Sequence, residues 1–220
     1  MKDLNQLIIK FDYEQNFKDE DFYVGKSNFY PFELINNWPK WEKNFLNISG
    51  EKFSGKTHLT NIFLKKFNGI RVESILLNDE NLKAIKPYQN VVLEDLNLDV
   101  NEKLIYTLFN IIDQDNKFLI ITSVKPIAEI NFKLEDLKSR TKNCLSAKIE
   151  NPDDELMFAL ILKNLSDRQI TLDKKLIDFI IKRVERSYGK IFEFIYNIDK
   201  ISLKKKKSID FKIINEALEE

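Results

Sequence analysis

Gly50-Glu51-Lys52-Phe53-Ser54-Gly55-Lys56-Thr57 satisfies the pattern G-x-x-x-x-G-K-[ST] at every required position. The apolar run Asn44-Phe45-Leu46-Asn47-Ile48 before it reads as a short strand, and Thr57 to Phe67 after it reads as an amphipathic helix. Between a strand and a helix, Gly50 and Gly55 let successive backbone N–H groups, Ser54 among them, curl around phosphate oxygens. The helix N-terminus adds partial positive charge. Lys56 is then placed to reach the β- and γ-phosphates of a nucleotide, and the Thr57 hydroxyl to ligate Mg²⁺. Phe53 stands where many such loops carry a further glycine, and a bulky residue tolerates positive φ poorly.

Further along, Val91-Val92-Leu93 is an apolar strand that runs into Glu94-Asp95. A strand ending in paired acids is what a Walker B element needs, one carboxylate for the Mg²⁺ shell and one to polarise the attacking water. Two registers are open. In one, Glu94 faces the metal and Asp95 the water; in the other, Asp95 faces the metal and Leu96 stands in place of the base, which cripples hydrolysis.

The same alternation extends on both sides. Strands are expected at Ile70 to Ser74, at Lys117 to Thr122 and at Cys144 to Ile149, and helices from Asn28 to Trp41 and after the capping Asn101. The continuous apolar run Phe118-Leu119-Ile120-Ile121 marks a strand buried on both faces. Strands alternating with helices imply an α/β fold with a parallel sheet between helices. After Asn151-Pro152 the character changes: Asp153 to Leu165, Thr171 to Glu185, Gly189 to Leu203 and Asp210 to Leu218 all carry helical periodicity, with no strand between them. The expected organisation is a leader over 1–19, an α/β nucleotide-binding core over 20–150 and a small all-α lid over 151–220.

Composition narrows the function classes. Lys plus Arg and Asp plus Glu each number 35, for a formal net charge of zero. Proteins whose main work is gripping nucleic-acid phosphates carry a basic excess, so protein partners are favoured over direct DNA binding. Lys204 to Lys207 is a basic run that reads as a solvated helix end. The single cysteine, Cys144, has no intrachain disulfide partner and reads as a packing residue. No apolar run is long enough for a membrane span, and the acidic first residues lack a secretory cleavage site. A cytoplasmic address without membrane association is expected.

With these elements in place, the chain resembles the DnaA family of bacterial AAA+ proteins over residues 20 to 220. Asp21-Phe22-Tyr23-Val24-Gly25-Lys26-Ser27-Asn28 looks like that family's adenine-side segment, which implies nucleotide contacts by Tyr23, Val24, Gly25 and Asn28. Ile120-Ile121-Thr122-Ser123-Val124-Lys125-Pro126 looks like its sensor 1 strand, with Ser123 or Thr122 toward the γ-phosphate and Val124 where Asp is usual. Asp136-Leu137-Lys138-Ser139-Arg140 is similar to the element that ends in the arginine finger, so Arg140 is expected to act on a neighbouring molecule's nucleotide. Arg186-Ser187-Tyr188 sits where the sensor 2 arginine of the lid belongs. His58, just past the phosphate loop, reads mainly as a packed helix residue, although its place beside the loop puts it among the nucleotide-site residues.

The N-terminal Gln6-Leu7-Ile8-Ile9-Lys10-Phe11 looks like a sliding-clamp-binding peptide, with Gln6, Leu7, Ile9 and Phe11 as the docking side chains. Joined to a module that ends after the lid, this resembles the Hda-type regulators within the family. The resemblance implies ADP or ATP with Mg²⁺ (held by Thr57 and Glu94), the polymerase sliding clamp and DnaA as partners, DNA only indirectly, and Glu94, Asp95 and Arg140 as the residues of hydrolysis. It implies an activator of the DnaA ATPase with weak or absent turnover of its own, and it is compatible with a homo-oligomer. The alternatives are a DnaA-related ATPase that remodels another replication protein and an adaptor that only recruits one.

Overall fold

The computed structural model describes residues 22–219. The clamp-like peptide at 6–11 lies outside the described residues. Five strands, β1 (Phe45–Ser49), β2 (Ile70–Glu73), β3 (Asn90–Leu96), β4 (Phe118–Ser123) and β5 (Leu145–Lys148), form one sheet in the order β2-β3-β4-β1-β5. Every pairing is parallel. Helices α1 (Phe29–Asn36), α2 (Lys56–Phe67), α3 (Asp79–Ala84), α4 (Glu102–Gln114) and α5 (Glu135–Thr141) connect and cover the strands.

Strand side chains alternate between two faces, and the two cores divide the strands accordingly. Phe45, Val72, Val91, Leu93, Leu119 and Ile121 pack with Ile105, Leu108, Phe109 and Ile112 of α4 and Leu137 of α5. The intervening Leu46, Ile48, Val92, Ile120 and Ala147 pack against Ile35 of α1 and Leu59 and Phe63 of α2. Both faces are apolar, which is why β3 and β4 read as continuous runs instead of alternating ones.

After Pro152 the described chain is helical: α6 (Asp154–Asp167), α7 (Lys174–Ile181), α8 (Tyr188–Lys205) and α9 (Phe211–Glu219). Each is capped by a side chain four residues or fewer ahead of its first bonded amide: Asp153, Asp173, Ser187 and Asp210 accept from backbone N–H groups of their helices. Met157, Ile161, Ile177, Ile180, Ile195, Ile198 and Ile214 form a third core shared by these four helices. Lys204 to Lys207 lie exposed at the end of α8, as expected. Among the described residues no helix is long and apolar enough to cross a membrane.

Candidate functional site

The phosphate-loop sequence lies between β1 and α2, at the C-terminal end of the interior strand flanked by β4 and β5. Gly55 caps α2 at φ 93°, a left-handed conformation that favours glycine. Gly50 is required for a different reason: a Cβ there would meet Ser54 Oγ at 2.8 Å and the Ile149 side chain at 3.1 Å. Phe53 adopts φ 66°, the conformation that its bulk disfavours, and its ring stacks on Phe192 of α8 with centroids 4.5 Å apart. The strain of a left-handed non-glycine residue, about 1–2 kcal/mol, is of the size that an aromatic pair and its buried area return.

Lys56 folds back into the loop. Its buried ammonium donates to Gly50 O at 2.9 Å and to Glu51 O at 2.8 Å. Burial lowers its pKa from the ordinary lysine value, and the nearby carboxylates of Asp95, Glu94 and Glu51 oppose that shift. The Thr57 hydroxyl donates to Glu94 Oε2 at 2.9 Å. Glu94 is buried, and its other oxygen lies against the Thr60 hydroxyl and 3.7 Å from Arg71 Nε.

Asp95 is held differently. Its φ is 52°, and the β3–β4 register slips between Leu93 and Leu96. Such a bulge re-aims side chains, and Asp tolerates the left-handed region better than most residues. The Asp95 N–H donates to Thr122 Oγ1 at 2.9 Å, its carbonyl accepts from Ser74 Oγ at 2.9 Å, and the residue is exposed. Of the two registers, this is the one with Glu94 turned to Thr57 and Asp95 beside it.

The remaining residues singled out in the sequence lie in four places. Around the 23–28 turn, Asn28 accepts from Gly25 N at 2.8 Å and donates to Tyr23 O at 2.9 Å, so its buried side chain braces the turn while Tyr23 and Val24 stay exposed. Ser123 is buried; it accepts from Asn47 Nδ2 at 2.9 Å and donates to Lys125 O at 2.6 Å. Arg186 pairs with Asp154 at 2.7 Å on the surface, one residue before Ser187, which touches the phosphate loop. Arg140 is apart from all of these. It pairs with Asp113, lies 5.3 Å from the Tyr106 ring centroid, and shares a cleft with Phe45, the first residue of β1, whereas the phosphate loop follows the last.

Several contributors carry no motif signal. Phe22 is an aromatic that reaches the loop: its ring would sit 3.1 Å from a Cβ on Gly55, stacks on Phe32 and meets the His58 ring edge-on at 5.1 Å. Asn47 is fully buried in β1 and donates to Ile121 O at 3.1 Å while accepting from Ile127 N at 2.8 Å. A polar residue inside Phe45-Leu46-Asn47-Ile48 was its signal. Glu51 occupies a free position of the loop pattern and reaches α8, and Thr60 and Arg71 reach Glu94.

The residues present suit a polyphosphate and a hard divalent cation. Ser54 Oγ is buried in the loop without a hydrogen-bond partner among the described residues, and the Lys56 ammonium donates to backbone carbonyls of the loop. Thr57 and Glu94 bring two hard oxygens together, the donor type that Mg²⁺ takes.

Fold and loop together define the class: an α/β P-loop AAA+ fold with a helical C-terminal part. Within that class the chain has the fold of DnaA domain III. It superposes on domain III of the Thermotoga maritima replication initiation protein DnaA with a TM-score of 0.75 at 18% identity, covering 93% of this chain and 96% of that one. AMPPCP-bound DnaA from Aquifex aeolicus gives a TM-score of 0.63 at 19% identity, over 85% of this chain and 68% of that one. In sequence, an uncharacterized protein of Haemophilus influenzae is 26% identical over 212 residues, 90% of this chain and 92% of its own length. The chromosomal replication initiator protein DnaA of Helicobacter hepaticus is 27% identical over 197 residues, 78% of this chain but only 42% of that protein. The chain thus spans less than half of that relative's length. No family model matches.

Proposed function

We propose that the chain is a nucleotide-dependent regulator of replication initiation of the Hda type. In this reading residues 20–150 form the nucleotide-binding core and 151–220 a lid. The core holds ADP or ATP through Gly50, Ser54, Gly55, Lys56 and Thr57, with Tyr23, Val24, Gly25, Asn28 and His58 on the base side and Ser123 and Arg186 toward the phosphates. Thr57 and Glu94 would hold Mg²⁺, which when bound neutralises phosphate charge. Gln6, Leu7, Ile9 and Phe11 dock on the sliding clamp, DnaA is the protein acted on, and the setting is the cytoplasm.

The observation that carries the proposal is the separation of Arg140 from the chain's own phosphate loop. The cleft of Arg140 opens beside Phe45 and the loop begins after Ser49, so the two lie at opposite ends of β1. At the rise of an extended strand that is about 13 Å of backbone. An arginine there serves a nucleotide on another molecule, as an activator of a partner's hydrolysis requires.

The test has two arms. Binding of the full chain to the purified sliding clamp is compared with that of a Gln6→Ala, Leu7→Ala variant, and hydrolysis of DnaA-bound ATP is followed with clamp-loaded DNA, with and without Arg140→Ala. Clamp binding lost in the double variant, with stimulated hydrolysis lost in Arg140→Ala, supports the proposal. An intact chain that neither binds the clamp nor stimulates hydrolysis overturns it. A second reading, an ATPase that acts on another replication protein, is favoured by the register that leaves Asp95 exposed beside the Thr57–Glu94 pair. Steady turnover of ATP by the chain alone, lost in Glu94→Gln, would select it.

A further inference from the structure

The first amides of a helix have no partner within it, and the structure shows where those of α8 go. Ser187 caps the helix by accepting from Lys190 N at 3.2 Å. The Tyr188 N–H donates to Glu51 Oε2 at 3.0 Å and the Gly189 N–H to Glu51 Oε1 at 3.1 Å, and the Ser187 hydroxyl donates to the same Oε1 at 2.5 Å. One carboxylate from the phosphate loop thus takes three donors from the helical part, at a helix end where negative charge is favoured.

Two further contacts belong to the same joint. Phe53, two residues along the loop, stacks on Phe192, one helical turn beyond Tyr188. Gly189 admits the carboxylate: a Cβ there would stand 2.9 Å from Glu51 Oε1. The backbone carbonyl of Glu51 meanwhile accepts from Lys56 Nζ. Glu51 therefore touches the lysine of the loop with one end and the lid with the other.

We propose that Glu51 is a latch that holds the lid on the phosphate loop without nucleotide, and that its release limits nucleotide exchange. The physical reason is that Glu51 and Phe53 both belong to the loop that would take the phosphates, and both are pinned to α8. The incoming phosphates also bring negative charge toward the Glu51 carboxylate. The exchange half rests on the nucleotide site proposed above; the latch half does not.

Hydrogen exchange in the nucleotide-free protein reads the latch directly, because the Tyr188 and Gly189 amides have Glu51 as their partner. Both are expected to be protected in the wild type and to lose protection by at least about tenfold in Glu51→Ala, while α2 amides stay unchanged. Gly189→Ala attacks the same contact from the lid side with a residue that favours helix. It is expected to reproduce the loss, which separates latch failure from misfolding of the loop. Release of a fluorescent ADP analogue is expected to quicken at least about tenfold in both variants, with Glu51→Gln intermediate because its amide keeps one acceptor oxygen. Amides that are unprotected in the wild type, or equally protected in Glu51→Ala, overturn the latch. Unchanged release in both variants overturns the exchange role. If the wild type binds no ADP, the nucleotide site and the exchange role fall together while the amides still decide the latch.

Discussion

The Arg140 guanidinium is paired with the Asp113 carboxylate of α4 and lies 5.3 Å from the Tyr106 ring centroid, so it is held by its own molecule. Both partners are partly exposed, and an exposed ion pair contributes about 0–1 kcal/mol, which a neighbouring phosphate would readily exceed. Arg140→Ala is expected to leave ADP affinity within about twofold of wild type while lowering stimulated hydrolysis of a partner's ATP by about a hundredfold or more. Asp113→Asn frees the arginine without removing it and is expected to keep the stimulation. Calorimetric ADP titration and a single-turnover hydrolysis assay check the pair.

Lys56 separates binding from folding. Its ammonium is buried against two carbonyls, and desolvation disfavours its charge. Lys56→Ala is expected to weaken ADP binding by at least about a hundredfold, the loss of a charge-assisted phosphate contact in a buried site. The melting temperature without nucleotide should move by only about 2–4 °C, because the lost hydrogen bonds and the relieved burial of charge oppose each other. Equilibrium dialysis and differential scanning calorimetry give the two readings.

Asn47 ties β1 to the end of β4 and to the turn at Ile127 through three buried hydrogen bonds. Asn47→Ala is expected to cost about 2–4 kcal/mol in urea unfolding, because it leaves buried groups unpaired as well as removing the bonds. Asn47→Leu restores volume but still strands the Ile127 N–H, and it should recover less than half of that loss.

Burial pushes the Cys144 thiol from 9.0 up to about 12, with Asp113 adding to the shift and Lys43 opposing it. The native state therefore keeps a proton that the unfolded chain gives up. Stability is held below pH 9 and falls as pH rises from 9 toward 12, and Cys144→Ser should flatten that fall. At pH 8 the native protein carries roughly a thousandfold less thiolate than an ordinary cysteine, so iodoacetamide should label Cys144 only on unfolding.

The strands β1, β3 and β4 were legible because each holds a short apolar run, while β2 and β5 alternate apolar with polar residues. The order of the strands was not legible; the helices from α6 onward were, because their apolar period persists for two turns or more. Helices α3 and α5 were not legible: at six and seven residues they offer one or two buried anchors, Leu82 in the first and Leu137 with Thr141 in the second. At the site, Gly50, Gly55, Lys56 and Thr57 form a contiguous pattern, which a sequence displays directly. The acids of β3 were visible, but not their register, which a bulge and a left-handed Asp95 decide. Glu51, Thr60 and Arg71 were invisible in their roles, because their partners lie on other elements and the loop pattern leaves position 51 free.

The order of the sheet also bears on how the protein is made. β1 pairs with β4 and β5 and with neither β2 nor β3, although both of these follow it sooner in the chain. At about 5–20 residues per second, the ribosome leaves β1 without either neighbour for roughly 4–15 s. Over that interval Phe45-Leu46-Asn47-Ile48 is an apolar strand with two open edges, the state in which nascent chains associate wrongly. Asn47 makes the segment less sticky while it waits, and once β4 and the turn after it arrive, the same side chain fastens them. The loop that follows β1 is thus synthesised well before the two strands that flank β1.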